Sequence, residues 1–233
     1  MVNDLKKKLI VLSGPSCVGK GPLKQAVRRY HPEVKFAELV LCTSRKPRLK
    51  AETKTYEVHG IDFYFLPRSI FGQLDKNRFI VANVRSDVQA IDVAQVRELL
   101  KDYDVVLVEV FHELGKLLIE WVKIQADLDF EIKSVFLLPI SQEEIEEIAK
   151  TINKTPEEII YEVMKAKLEI RGEDPPHKIE ERARSAYKEM LSSLYYTKVI
   201  VNHSGEDDRK EWSDPLGLET QRVLNEFIEV LKS

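Results

Sequence analysis

The chain has 233 residues, with 36 Lys and Arg against 39 Asp and Glu, a formal net charge of −3. That balance excludes the diffuse positive field of a general nucleic-acid binder and leaves room only for local basic pockets. Hydrophobic residues at 43% and charged residues at 32% describe a globular chain, and two cysteines, Cys17 and Cys42, are too few for a disulfide framework and fit a reducing, cytoplasmic setting.

Along the chain, residues 9–13 form a short apolar run that reads as a buried strand, too short for a signal-peptide core. A glycine-rich turn follows, and then a helical pattern over 20–30. Further short apolar runs at 39–42, 105–111, 134–138 and 199–201 read as strands of a parallel sheet covered on both faces. Helical patterns lie between them at 88–101, 112–124 and 143–150. The last, 216–231, places Val223, Leu224, Phe227, Ile228 and Leu231 on one face. The alternation predicts an α/β fold with a doubly wound parallel sheet. No run approaches the roughly 18 apolar residues of a membrane helix, so no membrane partner is expected.

Two stretches interrupt the alternation as excursions from one domain spanning 1–233. Residues 36–83 carry extended, Arg-rich and aromatic pieces, including Gly60-Ile61-Asp62-Phe63-Tyr64-Phe65. Residues 155–193 are helical, charged and broken at Arg171-Gly172-Glu173-Asp174-Pro175-Pro176. Thr155-Pro156-Glu157-Glu158 is a helix start, with a Thr cap, a first-turn proline and acids at the positive dipole end.

The sharpest motif is Gly14-Pro15-Ser16-Cys17-Val18-Gly19-Lys20, which satisfies G-x-x-x-x-G-K between a strand and a helix. A bound phosphate needs backbone N–H groups aimed at it, so the loop must curl without side-chain obstruction. The helix adds its dipole and Lys20 a point charge. Next come Gly21 and Pro22, where a Ser or Thr would ordinarily contact Mg²⁺. A metal would then rely on water, on Ser16 or on a carboxylate elsewhere, for which Glu109 at the end of the 105–111 strand is the candidate. The five histidines and two cysteines show no metal-ligand spacing.

The stretch 14–21, with Thr43-Ser44-Arg45-Lys46-Pro47-Arg48 after it, resembles guanylate kinase, whose members carry G-P-S-G-x-G-K-[SG] and then T-T-R-x-P-R. The likeness continues through Gly60 to Phe65, through Leu168-Glu169-Ile170-Arg171-Gly172 and Ile179-Glu180-Glu181-Arg182 as a lid, and ends at Val199-Ile200-Val201-Asn202. It implies a P-loop NTPase core (1–35, 104–150 and 195–233), an acceptor-binding region (about 36–103) and a helical insertion with lid (about 151–194). It also implies transfer of the ATP γ-phosphoryl group to a nucleoside monophosphate, by default GMP or dGMP, with Mg²⁺. Small nucleotides would be the partners. The resemblance gives the ATP phosphates to Gly14, Pro15, Ser16, Cys17, Val18, Gly19, Lys20 and Gly21. Catalytic charge neutralisation falls to Lys20, Arg45, Arg48, Arg171 and Arg182, and acceptor binding to Arg45, Arg48, Glu57 and Phe63.

Several family positions differ here. Leu41 replaces an acceptor-side Ser, Phe63 a phosphate-binding Tyr, and Val81 an acid; residues 49–56 are inserted before Glu57. Losing polar readers together opens a second reading, a kinase of this fold acting on another phosphorylated small molecule such as a ribose bisphosphate. A third is a non-catalytic binding module, against which the retained Lys20 argues. Residues 204–217, with Asp207, Asp208 and Trp212, extend a loop that borders the adenine in the family. There Trp212 would stack on a base or pack at the core edge.

Overall fold

The computed structural model describes residues 7–50, 53–125 and 128–233. Strand β1 (Lys7–Ser13) is buried from Lys8 onward, because a central strand of a parallel sheet has helices over both faces. Helix α1 (Lys20–Tyr30) follows with Pro22 in its first turn, where a missing N–H costs nothing. The chain then runs through β2 (Phe36–Glu38), β3 (Cys42–Thr43), β4 (Tyr64–Phe65), α2 (Arg68–Phe71), β5 (Phe79–Val84), β6 (Asp87–Asp92) and α3 (Val93–Asp102). It continues with β7 (Val105–Glu109), α4 (His112–Lys123), β8 (Phe130–Leu138), α5 (Gln142–Ile152), α6 (Pro156–Arg171) and α7 (Pro176–Leu191). A 3₁₀ turn (Ser192–Tyr195), β9 (Lys198–Val201) and α8 (Leu218–Lys232) complete it. No helix among the described residues is long and apolar enough to cross a membrane.

One sheet has the order β2-β7-β1-β8-β9, so the chain winds outward from β1 in both directions, the doubly wound pattern that the alternation predicts. Its edge pairs are parallel: β2 with β7, Phe36 opposite Val105, and β8 with β9, Val135 opposite Lys198. A smaller sheet has the order β4-β3-β6-β5 and is built on the antiparallel β5–β6 hairpin. The chain divides into two compact units: Lys35–Lys133 with the start of β1, and Leu12–Val34 with Ser134–Ser233.

Two predicted elements are corrected. The apolar run 39–42 is not one strand: residues 39–41 link β2 to β3, and only Cys42 is in a strand. Leu39 N–H donates to the Leu107 carbonyl and Val40 N–H to Gln95 Oε1, and the chain crosses there from β2 in one sheet to β3 in the other. The helix expected over 88–101 begins only at Val93, because residues 87–92 are β6, paired residue for residue with β5 from Val84–Asp87 to Phe79–Asp92. Val88 and Ala90 point into a core with Cys42 and Phe71, and the Asp92 carboxylate caps α3 by accepting from Ala94 N–H. The other helix expectations hold closely. Thr155 caps α6 in a full capping box with Glu158, and Gly172, at φ +69°, ends that helix in the left-handed conformation.

Candidate active site

In the second unit the turn between β1 and α1 is shaped by close approach. A Cβ on Gly14, at φ +149°, would stand 2.5 Å from the Leu137 carbonyl oxygen at the end of β8. One on Gly19, at φ +93°, would stand 2.4 Å from Asn202 Nδ2. Asn202, fully buried after β9, donates to the Val18 carbonyl at 2.8 Å and so braces the loop, while its Oδ1 has no hydrogen-bond partner. Lys20 is buried and arches back, its ammonium donating to the Gly14 and Pro15 carbonyls at 3.0 and 2.7 Å. A curled backbone with a buried cation folded over it is an arrangement that could hold an anion. Cys17 sits at φ +64°. Burial pushes its thiol up to about 12, with the Glu206 and Asp207 carboxylates adding to the shift, so it is no nucleophile.

The same unit carries the predicted lid arginines. Arg171, at the end of α6, pairs with Asp174 and lies 3.3 Å from a Glu173 oxygen; Arg182, buried in α7, reaches Asp174 at 3.0 Å. Both guanidinium groups therefore converge on one carboxylate, the geometry that would also hold a phosphoryl group. Burial works against the Arg171 charge, but Cys17, Asp174, Glu173 and Glu206 around it hold its pKa above the ordinary value. Arg184 belongs elsewhere: it is exposed and paired with Glu180.

In the loop after β9, which the sequence marks as extended, the contact made by Glu206 was not foreseen. Gly19 N–H donates to Glu206 Oε2 at 2.9 Å, so a carboxylate engages the glycine-rich turn. Gly205 permits this, since a Cβ there would fall 1.9 Å from the Cys17 carbonyl oxygen. Lys167 on α6 anchors the loop through Asp207 at 3.0 Å and through the His203 carbonyl. Trp212 donates its indole N–H to Ser204 O at 2.7 Å, with its ring edge 3.3 Å from a Cβ placed on Gly19. The only signal in the sequence was an acidic run, Glu206-Asp207-Asp208, following a glycine.

In the first unit Arg45 and Glu57 form a bidentate pair, Nη2 to Oε1 at 2.7 Å and Nη1 to Oε2, and Glu57 Oε2 also accepts from Arg48 N–H at 2.8 Å. The Arg45 guanidinium lies over the Phe63 ring at 4.5 Å and over Phe65 at 5.6 Å. Burial alone would raise the Glu57 pKa, but Arg45 and the Arg48 N–H outweigh it and hold the carboxyl below the ordinary carboxylate value. Three of the predicted acceptor residues are thus brought together, with the exposed Arg48 joined through its backbone. Within the insertion Leu49 bridges Tyr56 in antiparallel fashion, and Lys50 is paired with Asp62 at 2.7 Å. Of that insertion, Ala51 and Glu52 lie outside the described residues. Leu41 is buried, and Val81 packs against the small-sheet core. Glu109 ends β7, half-buried.

For a metal, the donor set is sparse: among the described residues no group of three or more His, Cys, Asp or Glu gathers as a cage. Mg²⁺ in phosphoryl transfer does not require one, because phosphates and water complete its shell around one or two carboxylates. Beyond its own helix backbone and chain neighbours, the space at Gly21 is open but for Glu206 Oε1, 4.0 Å from a Cβ placed there. A hard oxygen donor therefore stands beside the position that lacks a hydroxyl.

Known proteins resemble this chain along most of its length. The guanylate kinase family model matches residues 6–169. A guanylate kinase from Clostridium perfringens (strain SM101 / Type A) is 28% identical over 96% of this chain and 90% of its own length. One from Nostoc sp. (strain PCC 7120 / SAG 25.82 / UTEX 2576) is 32% identical over 74% of this chain and 80% of its own. The crystal structure of guanylate kinase from Anaplasma phagocytophilum superposes with a TM-score of 0.56 at 18% identity, covering 97% of this chain and 84% of that one, a likeness of fold.

Proposed function

We propose, from the premise that this chain belongs to the guanylate kinase family of nucleoside monophosphate kinases, that it moves the ATP γ-phosphoryl group to GMP or dGMP with Mg²⁺. The observation that carries the acceptor is Glu57. Guanine presents adjacent N–H donors, and a part-buried carboxylate held ionised is the acceptor that reads them. In the free protein Arg45 and the Arg48 N–H occupy that carboxylate. We assign to the acceptor phosphate the exchange that frees it: Arg45 turns its fork to the phosphate, and Glu57 turns to the base. Phe63, without a hydroxyl, keeps the guanidinium plane in place through its ring face.

On the donor side, the curled backbone 14–21 would bind the ATP phosphates, and Lys20 would leave the Gly14 and Pro15 carbonyls for the outer phosphate oxygens. Arg171 and Arg182 would exchange Asp174 for the transferring group, neutralising charge that grows in the transition state. When bound, Mg²⁺ would supply further neutralisation of phosphate charge. Replacing Glu57 by Gln tests the acceptor: the KM for GMP should rise and base choice relax while kcat changes less. An unchanged KM favours the second reading, a phosphorylated acceptor without guanine, for which the apolar Leu41, Phe63 and Val81 speak.

A further inference from the structure

We propose that Glu206 supplies the metal-side oxygen that position 21 lacks, so that the loop after β9 completes the Mg²⁺·ATP site from outside the glycine-rich motif. The inference rests on the kinase reading above and goes beyond it, because the motif itself names no such residue. Its first support is the vacancy of chemistry at 21–22, Gly then Pro, with no hydroxyl to offer. The second is position. One Glu206 oxygen accepts from Gly19 N–H at 2.9 Å, and the other lies 4.0 Å from a Cβ placed at Gly21, the one approach there from outside that residue's own helix and chain neighbours. The third is that this placement is built: Gly205 lets the loop backbone reach Cys17, and the half-buried Lys167–Asp207 pair pins the neighbouring residue.

The carboxylate thereby serves two states. Without nucleotide it satisfies an N–H of the cradle. Were phosphate oxygens to take that N–H, the freed carboxylate would be available beside position 21 as a hard oxygen donor for Mg²⁺. Exchange of one anionic partner for another keeps the Gly19 N–H satisfied throughout.

Titration calorimetry of the full chain with the β,γ-imido analogue of ATP, in EDTA and in saturating Mg²⁺, separates the two roles. In Glu206→Gln the metal-free affinity should equal or exceed that of the unsubstituted protein, since a charged competitor is gone. The tightening by Mg²⁺ should shrink by about ten- to a hundredfold. Adding Gly21→Ser, for which the space is open, should restore the Mg²⁺ increment in the double variant. Bound Mn²⁺ should report the same loss and recovery in its electron paramagnetic resonance spectrum. An undiminished Mg²⁺ increment in Glu206→Gln overturns the proposal, as does a double variant that binds the metal-free analogue yet regains nothing. Absence of analogue binding by the unsubstituted protein in both buffers would instead remove the kinase reading beneath it.

Discussion

Lys20 and Glu57 are the two side chains on which the proposed chemistry divides, and each makes a separate demand. Lys20 is the cation of the proposed phosphate loop, buried and tied to two carbonyls. Lys20→Ala should lower kcat by about 10² or more with the fold retained, read by turnover beside circular dichroism. Glu57 has a folded-state pKa below its ordinary value of about 4.3. Its pairing with Arg45 therefore contributes stability that is present above that ordinary value and lost as pH falls through the lower folded value. The KM for GMP, corrected for the ionisation of the GMP phosphate itself at about pH 6, should stay flat from neutral pH down to the ordinary carboxylate range and rise below it; a corrected value that already rises at about pH 6 would contradict Glu57 as the reader. The phosphate loop was legible in the sequence because its glycines are fixed by backbone geometry within seven residues. The Glu206 contact was not, because it joins positions 187 residues apart and depends on Gly205 letting two backbones meet.

Helices in this chain announce themselves where their caps are local. Ser141 and Thr155 each close a capping box, and replacing either by Ala should cost about 1 kcal/mol in urea unfolding. The strand–helix junction at 87–102 announces nothing of the kind. Val88, Ala90, Ile91 and Val96 fit either period, and only the cross-strand partners 79–84 decide that the first six residues are strand. The run 39–42 misleads for a related reason: it is buried like a strand while its hydrogen bonds go to two different elements.

A second pH effect belongs at this scale. His203 bridges Glu144 in the first turn of α5 (3.0 Å) and Glu219 in the first turn of α8 (2.6 Å). Partial burial works to lower its pKa, but the two carboxylates prevail and raise it. Its contribution is complete below the unfolded value of about 6.5 and disappears as pH rises through the folded one. The melting temperature should therefore fall across that window, and His203→Gln should flatten the fall. An identical pH profile in the variant would assign the effect elsewhere.

For the whole molecule, composition, alternation and motif order were enough to read an α/β chain of the guanylate kinase family, because fold class depends on averages that single residues do not upset. The division into two units was beyond reach of the sequence, since it is set by contacts spread over many residues. The proposed donor residues Lys20, Arg171 and Arg182 lie in one unit, and Arg45, Arg48 and Glu57 in the other. A nucleotide that binds only the folded chain stabilises it by mass action. The β,γ-imido ATP analogue with Mg²⁺ and GMP should each raise the melting temperature separately. The Arg171→Ala variant should weaken the first shift and Glu57→Gln the second. The account is tested most directly by ADP release from ATP and Mg²⁺ across GMP, dGMP, AMP, CMP, UMP and ribose 1,5-bisphosphate, with Lys20→Ala as control. It predicts turnover with GMP and dGMP that Lys20→Ala abolishes; turnover confined to another acceptor, or none at all, would contradict it.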